Sequence, residues 1–387
     1  MHQLLKPSAA VFSIFFGLAL LDITLPETKR AKPPMVVNKN PKIQAAILLD
    51  VSNSMDGLIE QAKTQLWNMV SVMGKAKCNE ATPQIEIALY EYGRDSNDPK
   101  QGYIKQISGF TSDLDKLSQD LFKLTTYGGS EYCGHVIHTS LNELQWDTAA
   151  LNYKVIFISG NEDFLQGSIS YTKACEEAKA KGVIVNTIYC GSKEMGIREH
   201  WNLSGECGNG SFTNIDQNAK PDDIATPYDS TLFVLNSRLN TTYISYGVAG
   251  AGSYYRQAEM DKANYSLNKA AMAQRVAVKG KKELYQNSSW DLLDASDRDS
   301  TFIANVDMKT LPDSLKNKTR AQLQQIVDEK NTERGLIQKD IAAISKQREE
   351  YIAAEKAKKA ATNNATLETE VERTIRQQAK RFNMIIQ

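Results

Sequence analysis

The most informative segment of this chain is Ile43-Gln-Ala-Ala-Ile-Leu-Leu-Asp50-Val-Ser52-Asn-Ser54-Met55. Its apolar run predicts a strand in the middle of a parallel sheet, because such strands are covered on both faces and read as continuous apolar residues. The run stops at one carboxylate and two hydroxyls spaced two residues apart. Ligands of open α/β sheets bind beyond the carboxyl ends of the strands. The stretch therefore predicts a sheet and a site at its edge.

The side chains of Asp50, Ser52 and Ser54 offer only oxygen atoms. Oxygen ligands suit a hard cation such as Mg²⁺ or Ca²⁺, whereas zinc and copper favour nitrogen and sulfur. A second interpretation is that these side chains bond the backbone N–H groups of the turn and cap the next helix. The position at the end of a strand favours the cation.

Strands and helices alternate along the rest of the first 240 residues. Three further segments have the composition of strands: Gln84–Tyr92, Lys154–Ser159 and Val183–Cys190. Helical spacing of apolar residues predicts helices near 57–77, 113–124 and 168–181, and a short edge strand is predicted at Tyr103–Ile107. This alternation predicts an α/β fold with a doubly wound, mostly parallel sheet and helices on both faces.

The Asp50-x-Ser52-x-Ser54 pattern at a strand end resembles the first metal-site motif of the von Willebrand factor A family, and the resemblance covers about residues 42–240. It implies a Rossmann-like fold and a metal-ion-dependent adhesion site built from three loops. The second loop of the family normally supplies a threonine, which corresponds here to Glu131 or to the neighbouring Ser130. The third loop normally carries Asp-Gly. This chain has Gly160-Asn-Glu-Asp163 there instead.

From this resemblance we expect one Mg²⁺ or Ca²⁺ ion, held by Asp50, Ser52, Ser54, Glu131 and Glu162. The two glutamates are longer carboxylates that ligate directly or through a water. Their negative charge would strengthen metal binding. It would also make the bound metal less electrophilic toward an acidic group of a partner protein. Simpler alternatives exist for both: Glu131 as a carboxylate at a helix start, and Glu162 as an exposed loop charge.

The two ends of the chain differ from its middle. Residues 1–25 consist of a basic segment, an apolar segment and a polar segment, in that order. This order predicts a secretory signal peptide or an N-terminal membrane anchor, and a buried helix is the alternative. Residues 26–41 are rich in Pro, Lys and Asn and predict a linker before the 42–240 domain. Residues 241–387 predict a mainly α-helical extension, whose apolar stripe is too irregular to establish a coiled coil. We therefore expect export to the periplasm or cell envelope.

Export makes the five cysteines candidates for disulfide bonds, and the odd count leaves at least one outside any pair within the chain. They show no CxxC spacing of a zinc site. Cys190 with Cys207 is the first predicted pair because it closes a short loop. The alternative is that several of them are small buried apolar residues.

The balanced net charge and the absence of catalytic sequence motifs limit the functions that this chain can have. Lys+Arg and Asp+Glu are equal at 46 each, which gives no electrostatic case for a nucleic-acid partner. We find no nucleophile elbow, phosphate loop or His-Glu-x-x-His sequence, and His135 and His138, one helical turn apart, lack a third metal ligand. The first hypothesis is an exported, non-enzymatic module that binds a protein partner. A metal-free scaffold of an envelope complex is the second, and a metal-dependent hydrolase built on Asp50, Glu131 and Glu162 is the third.

Overall fold

The computed structural model describes residues 41–78, 80–216, 218, 224–358 and 367–386. Its main sheet has six strands: β1 Lys42–Asp50, β2 Gln84–Tyr92, β3 Lys105–Thr111, β4 Tyr153–Gly160, β5 Ile184–Cys190 and β6 Phe212–Ile215. Their order across the sheet is β3-β2-β1-β4-β5-β6. The first strand, β1, thus lies inside the sheet. The chain adds β2 and β3 on one side of it, and then β4, β5 and β6 on the other side.

All neighbouring strands of this sheet are parallel except β3, which lies antiparallel at the edge. This confirms the predicted fold class. The edge strand begins later than the predicted Tyr103 because the backbone of Tyr103 is left-handed (φ 59°). Its carbonyl accepts a hydrogen bond from the Asn97 side chain instead of joining the sheet.

Helices connect the strands and cover both faces. They are α1 Asp56–Met73, α2 Leu114–Phe122, α3 Cys133–Glu143, α4 Tyr171–Lys181, α5 Lys193–Arg198 and α6 Asp229–Asn240. Alternation along β1 divides the core: Ile43, Ala45 and Leu49 pack with α1 and α2, while Ala46 and Leu48 pack with α3 and α4. Both faces of β1 are therefore dry, as its continuous apolar sequence predicts.

The predicted helical extension is also confirmed. It consists of α7 Gly250–Leu267, α8 Lys269–Lys279, α9 Leu292–Arg298, α10 Phe302–Asn305, α11 Asp313–Lys316, α12 Arg320–Lys358 and α13 Leu367–Ala379. The 39 residues of α12 give a length of roughly 58 Å. Its buried residues Ile337 and Ile341 belong to the same core as β1 and α1, so the extension packs on the sheet domain.

Helix α13 covers part of the sheet itself. Val371 and Ile375 lie in the apolar core shared with β1. The buried side chain of Gln378 accepts a hydrogen bond from the Tyr153 hydroxyl (2.8 Å) and donates one to Asn186 Oδ1 (2.7 Å). Beyond the helix, Ile385–Ile386 pairs antiparallel with Ala76–Lys77. Residues 371–386 are therefore part of the sheet domain, although they lie far from it in sequence.

A buried ion network joins the extension to the sheet domain. The Arg275 guanidinium of α8 donates to Asp115 of α2 and to Asp261 of α7, both at 2.6 Å, and it lies 4.6 Å from the centre of the Trp67 ring of α1. Lys279 is 3.0 Å from the other oxygen of Asp261. Burial favours the neutral form of Asp261, but Lys279 and Arg275 hold the pKa of this carboxyl well below its usual range.

The disulfide joins Cys175 to Cys207, so the predicted Cys190–Cys207 pair is wrong. Cys190 is the last residue of β5 and faces the core shared with α1. Cys175 on α4 and Cys207 both lie in the core on the opposite face of the sheet. The sheet therefore separates Cys190 from Cys207, however short the loop between them.

The predicted N-terminal signal or anchor, residues 1–25, lies outside the described residues, as does the predicted linker apart from Pro41. Within the described ranges, none of the helices has both the length and the apolar character that crossing a membrane requires.

Candidate cation site

The carboxyl end of β1 brings Asp50 next to Glu131, the residue two positions before α3 begins. Both side chains are buried, with 0% of Asp50 and 1% of Glu131 exposed. The two carboxyl groups are within hydrogen-bonding distance of each other, and the Ser52 side chain contacts both. The backbone N–H of Ser52 also donates to Asp50 Oδ1 at 2.7 Å. Two of the five predicted ligands thus form a buried carboxyl pair.

The hydroxyl of Ser54 connects this pair to the loop after β4. Its Oγ lies 3.4 Å from Ser52 Oγ and receives a hydrogen bond from Asn161 Nδ2 at 3.2 Å. The loop after β1 is also fixed from its other side, since the Asn53 N–H donates to the carbonyl of Gly128. Hydrogen bonds therefore join three loops at one edge of the sheet.

Glu162 stands at the rim of this group. Its side chain is exposed, while its backbone N–H donates to Glu131 Oε2 at 3.3 Å. The buried Trp201 fixes the same residue by donating its indole N–H to the Glu162 carbonyl at 2.7 Å. His200 Nδ1 lies 3.0 Å from Asp163 Oδ1. The structure thus places Glu162 beside the pair without burying its carboxylate.

The environment of the pair disfavours two negative charges. Burial raises the pKa of Asp50 to about 6, although hydrogen bonds from Glu131 and Ser52 oppose the shift. Burial and the charge of Asp50 raise the pKa of Glu131 to about 10. In the described part of the chain, neither carboxylate forms an ion pair with a lysine, an arginine or a histidine. Near neutral pH the two groups therefore share one proton, or a cation takes its place.

These residues fit a hard cation in their chemistry. Within the described part of the chain, the buried Asp50 Oδ2 receives no hydrogen bond from an N–H or hydroxyl group. The carboxylates of Asp50 and Glu131 and the hydroxyls of Ser52 and Ser54 are the oxygen ligands that Mg²⁺ and Ca²⁺ take. The described residues contain no group of three His, Cys, Asp or Glu side chains able to hold a metal. A cation here would therefore rely on two carboxylates and on hydroxyl oxygens.

The other candidate residues lie apart. Ser130 pairs through its backbone with Gly93. His138 Nδ1 lies 2.6 Å from Glu177 Oε2, and His135 Nε2 lies 3.2 Å from Ser168 Oγ, so the two histidines have different partners.

Gly93 and Gly160 make room for the carboxyl pair, a role that the sequence analysis did not assign to either of them. A Cβ on Gly93 would lie 2.9 Å from Asp50 Oδ1, and a Cβ on Gly160 would lie 3.1 Å from Asp50 Oδ2 and 2.5 Å from the Tyr92 hydroxyl. Gly93 follows β2 and Gly160 ends β4, and both of these strands lie beside β1. A glycine at the end of a strand next to β1 is the sequence signal that could have identified them. A side chain at either position would displace the Asp50 carboxylate.

We expect Gly160→Ala to lower the free energy of unfolding by about 1–3 kcal/mol, because the added methyl group overpacks a site whose neighbours are buried. Gly129→Ala is the matched control: its Cβ would meet no atom within 4 Å, so we expect a change within about 0.5 kcal/mol. Urea unfolding of both variants measures this. Equal stability of the two variants would contradict the tight packing around Asp50.

Comparisons with known proteins give the following. No protein-family model matches the chain, and no curated protein is a match. Among solved structures, proximal thread matrix protein 1 from the mussel byssus, described with a zinc-occupied MIDAS motif, is 14% identical over 46% of this chain and 42% of that chain, with a TM-score of 0.35. The SpRpn10 VWA domain is 16% identical over 45% of this chain and 88% of that one, with a TM-score of 0.34.

A von Willebrand factor type A protein from Catenulispora acidiphila is 14% identical over 46% of this chain and 39% of that chain, with a TM-score of 0.34. The matched part spans less than half the length of this protein and of the mussel protein. Independently of these likenesses, the described chain has the doubly wound sheet and the Asp50-x-Ser52-x-Ser54 turn at its central strand. It therefore has a doubly wound α/β fold, as the resemblance to the von Willebrand factor A family implies.

Proposed function

We propose that this protein is an exported binding module that holds one Mg²⁺ or Ca²⁺ ion at the carboxyl edge of its sheet and engages a protein partner there. One observation carries the proposal: Asp50 and Glu131 are buried against each other with raised pKa values. Near neutral pH such a pair holds either a shared proton or a cation, and the neighbouring hydroxyl groups favour a hard cation.

Each residue of the candidate cation site has its own role. Asp50 and Glu131 would hold the ion from inside the sheet edge, and Ser52 and Ser54 would contribute hydroxyl oxygens from the adjoining turn. The cation would supply positive charge and open coordination positions to a partner. Glu162 keeps its carboxylate exposed at the rim, which makes the surface around the ion more negative.

Apolar side chains on the same edge support protein contact. Tyr127, in the loop bonded to Val51, is 57% exposed, and Leu165 and Ile197 flank the loop that carries Glu162. Large exposed apolar side chains near a polar site are typical of protein–protein interfaces. The partner is therefore expected to contribute apolar contacts around the ion.

Calorimetric titration with Mg²⁺ and with Ca²⁺ tests the cation. We expect binding heat from the native protein and none from Asp50→Asn, because this change removes one carboxylate charge at nearly constant volume. Asp98→Asn is the matched control, since Asp98 is an exposed acid in the loop that follows β2 at the same sheet edge. Loss of heat in both variants, or in neither, would count against the proposed ligands.

Capture of a partner tests the binding function. The purified protein is incubated with a cell-envelope extract in Mg²⁺ and in chelator, and the retained proteins are compared with those held by Asp50→Asn. We expect one protein to be retained by the native chain in Mg²⁺ and lost in the other two conditions. Retention that ignores both the chelator and the variant would exclude the cation-bearing edge as the contact.

Export rests on residues 1–25 alone. Fractionation of cells that produce the full chain, next to cells that produce a chain lacking these residues, tests the proposal. We expect only the full chain in the periplasm or the membrane fraction.

A metal-free scaffold is the second candidate, and a specific observation favours it. The carboxyl groups of Asp50 and Glu131 are within hydrogen-bonding distance, so a shared proton can replace the cation. In that case neither Mg²⁺ nor Ca²⁺ gives heat, and partner capture is unaffected by chelator.

A further inference from the structure

A buried lysine and an asparagine are in contact where α6, α7 and α8 meet. Lys279, the last residue of α8, is fully buried, and its Nζ lies 2.7 Å from Oδ1 of Asn240, the last residue of α6. Because a carbonyl bond is about 1.23 Å long, Nζ lies within about 3.9 Å of the Asn240 amide carbon, Cγ. Two bound groups react when their atoms are roughly 3–3.5 Å apart. The amine and the amide are therefore close to a reactive distance.

Asp261 of α7 joins the two groups through one of its oxygens. Its Oδ2 accepts a hydrogen bond from Asn240 Nδ2 at 2.7 Å and lies 3.0 Å from Lys279 Nζ. The other oxygen, Oδ1, accepts from Arg275 Nε at 2.6 Å, so the arginine holds the carboxylate in place. One carboxylate oxygen thus contacts both the nitrogen that would attack the amide and the nitrogen that would leave it, which is the position of a proton relay.

The surroundings of Lys279 favour its neutral amine, which is the nucleophilic form of lysine. Burial lowers the pKa of Lys279 to about 8; Asp261 and Asp115 oppose this shift, and Arg275 adds to it. The ring of Tyr285 packs on the same amine, with its centre 5.9 Å from Nζ. Near pH 8 a large share of the protein therefore has an uncharged amine beside the amide.

We propose that Lys279 and Asn240 form an intramolecular isopeptide bond, with Asp261 as the catalytic group. The neutral Nζ attacks Cγ of Asn240 and forms the new C–N bond. Asp261 Oδ2 takes a proton from the attacking nitrogen and passes it to Nδ2, the bond from Cγ to Nδ2 breaks, and the carbonyl reforms. Asn240 is only half-buried, so the neutral ammonia leaves to solvent. One amide replaces another, and the reaction needs no oxidant or reductant.

The bond ties the two parts of the chain together. Helix α6 is the last helix of the 42–240 domain, and α8 belongs to the helical extension. The bonded residues are 39 positions apart, and a covalent link across such an interval restricts the unfolded chain, as a disulfide does. The proposal does not depend on the cation, because none of these residues lies in the three loops around Asp50.

Peptide mapping of the full chain tests the proposal. Trypsin cuts after lysine and arginine, so Asn240 falls in the peptide 239–256, where it is the only side-chain amide and where no acidic residue occurs. Lys279 falls in the peptide 276–281, which stays uncut at a modified lysine. We expect one branched peptide that joins these two and is lighter than their sum by one molecule of ammonia. Its share should rise during incubation at pH 9 and less at pH 6, where Lys279 keeps its proton. Absence of the branched peptide after incubation at pH 9 overturns the proposal and leaves the contact as an ion pair.

Three variants test the roles of the residues. Asn240→Ala should abolish the branched peptide, and Asp261→Asn, which keeps both reacting groups, should slow its formation roughly 100-fold or more. Asn236→Leu is the matched control and should still form the bond, because Asn236 donates to the same oxygen of Asp261 at 2.8 Å, whereas Lys279 contacts the oxygen of Asn240. A native rate in Asp261→Asn would overturn the catalytic role of Asp261. Since Asp261→Asn also disturbs the buried ion network, the native peptide map and Asn240→Ala decide the existence of the bond on their own.

Discussion

Arg275→Ala is expected to lower the free energy of unfolding by about 3–5 kcal/mol, the usual cost of removing one partner from a buried ion pair. Arg275 is fully buried and bonds two carboxylates on two other helices. Its removal leaves Asp115 without this cation and leaves Asp261 with Lys279 alone. Part of the cost also comes from the lost contact with the ring of Trp67.

Urea unfolding at pH 7 measures this cost, and Arg256→Ala is the matched control. Arg256 also bonds an aspartate of the sheet domain, Asp113, at 3.1 Å, but both side chains of that pair are partly exposed. We expect less than about 1 kcal/mol from the exposed pair. A combined Arg275→Met and Asp115→Asn variant should recover part of the loss, since it removes the stranded charge of Asp115 and keeps Asp261 as the partner of Lys279. Equal costs at Arg275 and Arg256 would show that burial does not govern the network.

Glu131→Gln is expected to stabilise the protein in chelator at pH 8 by roughly 2–5 kcal/mol while it abolishes stabilisation by Mg²⁺ or Ca²⁺. Glutamine occupies nearly the same volume and carries no charge. It therefore removes the cost of a second buried carboxylate beside Asp50, and it also removes a ligand. A variant that gains stability and loses the cation response separates these two roles of Glu131.

The sign of the pH dependence follows from the raised pKa values. In the unfolded chain Glu131 loses its proton near its ordinary value of 4.5, whereas in the folded protein it holds the proton to about pH 10. Unfolding therefore releases a proton between these values, and stability falls as the pH rises. Above about pH 6, where folded Asp50 is also ionised, the fall approaches about 1.4 kcal/mol per pH unit.

Unfolding in chelator from pH 6 to pH 9 measures this slope. We expect it in the native protein, and we expect Glu131→Gln to remove it. Glu143→Gln, which changes an exposed glutamate at the end of α3, should leave the slope unchanged. A slope that survives Glu131→Gln would mean that another group titrates.

The fold class was predictable because burial on both faces demands an unbroken apolar run, and Ala45–Leu49 is such a run. The position of the site was predictable for a related reason, since polar residues directly after a buried strand must lie at the sheet edge. The burial of Glu131 was not predictable. It depends on Gly93 and Gly160, which leave space for the carboxyl pair, and the space around a glycine is set by the neighbouring strands.

The disulfide shows a second limit. Distance along the chain favours Cys190 with Cys207, but the sheet lies between them, and the face on which a cysteine lies depends on strand register. The role of residues 371–386 was hidden for the same kind of reason. They belong to the extension that the sequence predicts as mainly α-helical, yet only the assembled fold shows which apolar surface they cover.

The place of α13 has a consequence for how this protein is made. Gln378 bonds Tyr153, 225 positions earlier in the chain, so the ribosome releases the sheet strands long before the helix that covers them. At about 5–20 residues per second, synthesis of that interval takes roughly 10–45 s. During this time the apolar face beside β4 and β5 has no cover from α13. The apolar core of the sheet domain is therefore completed only after the last helix has been synthesised.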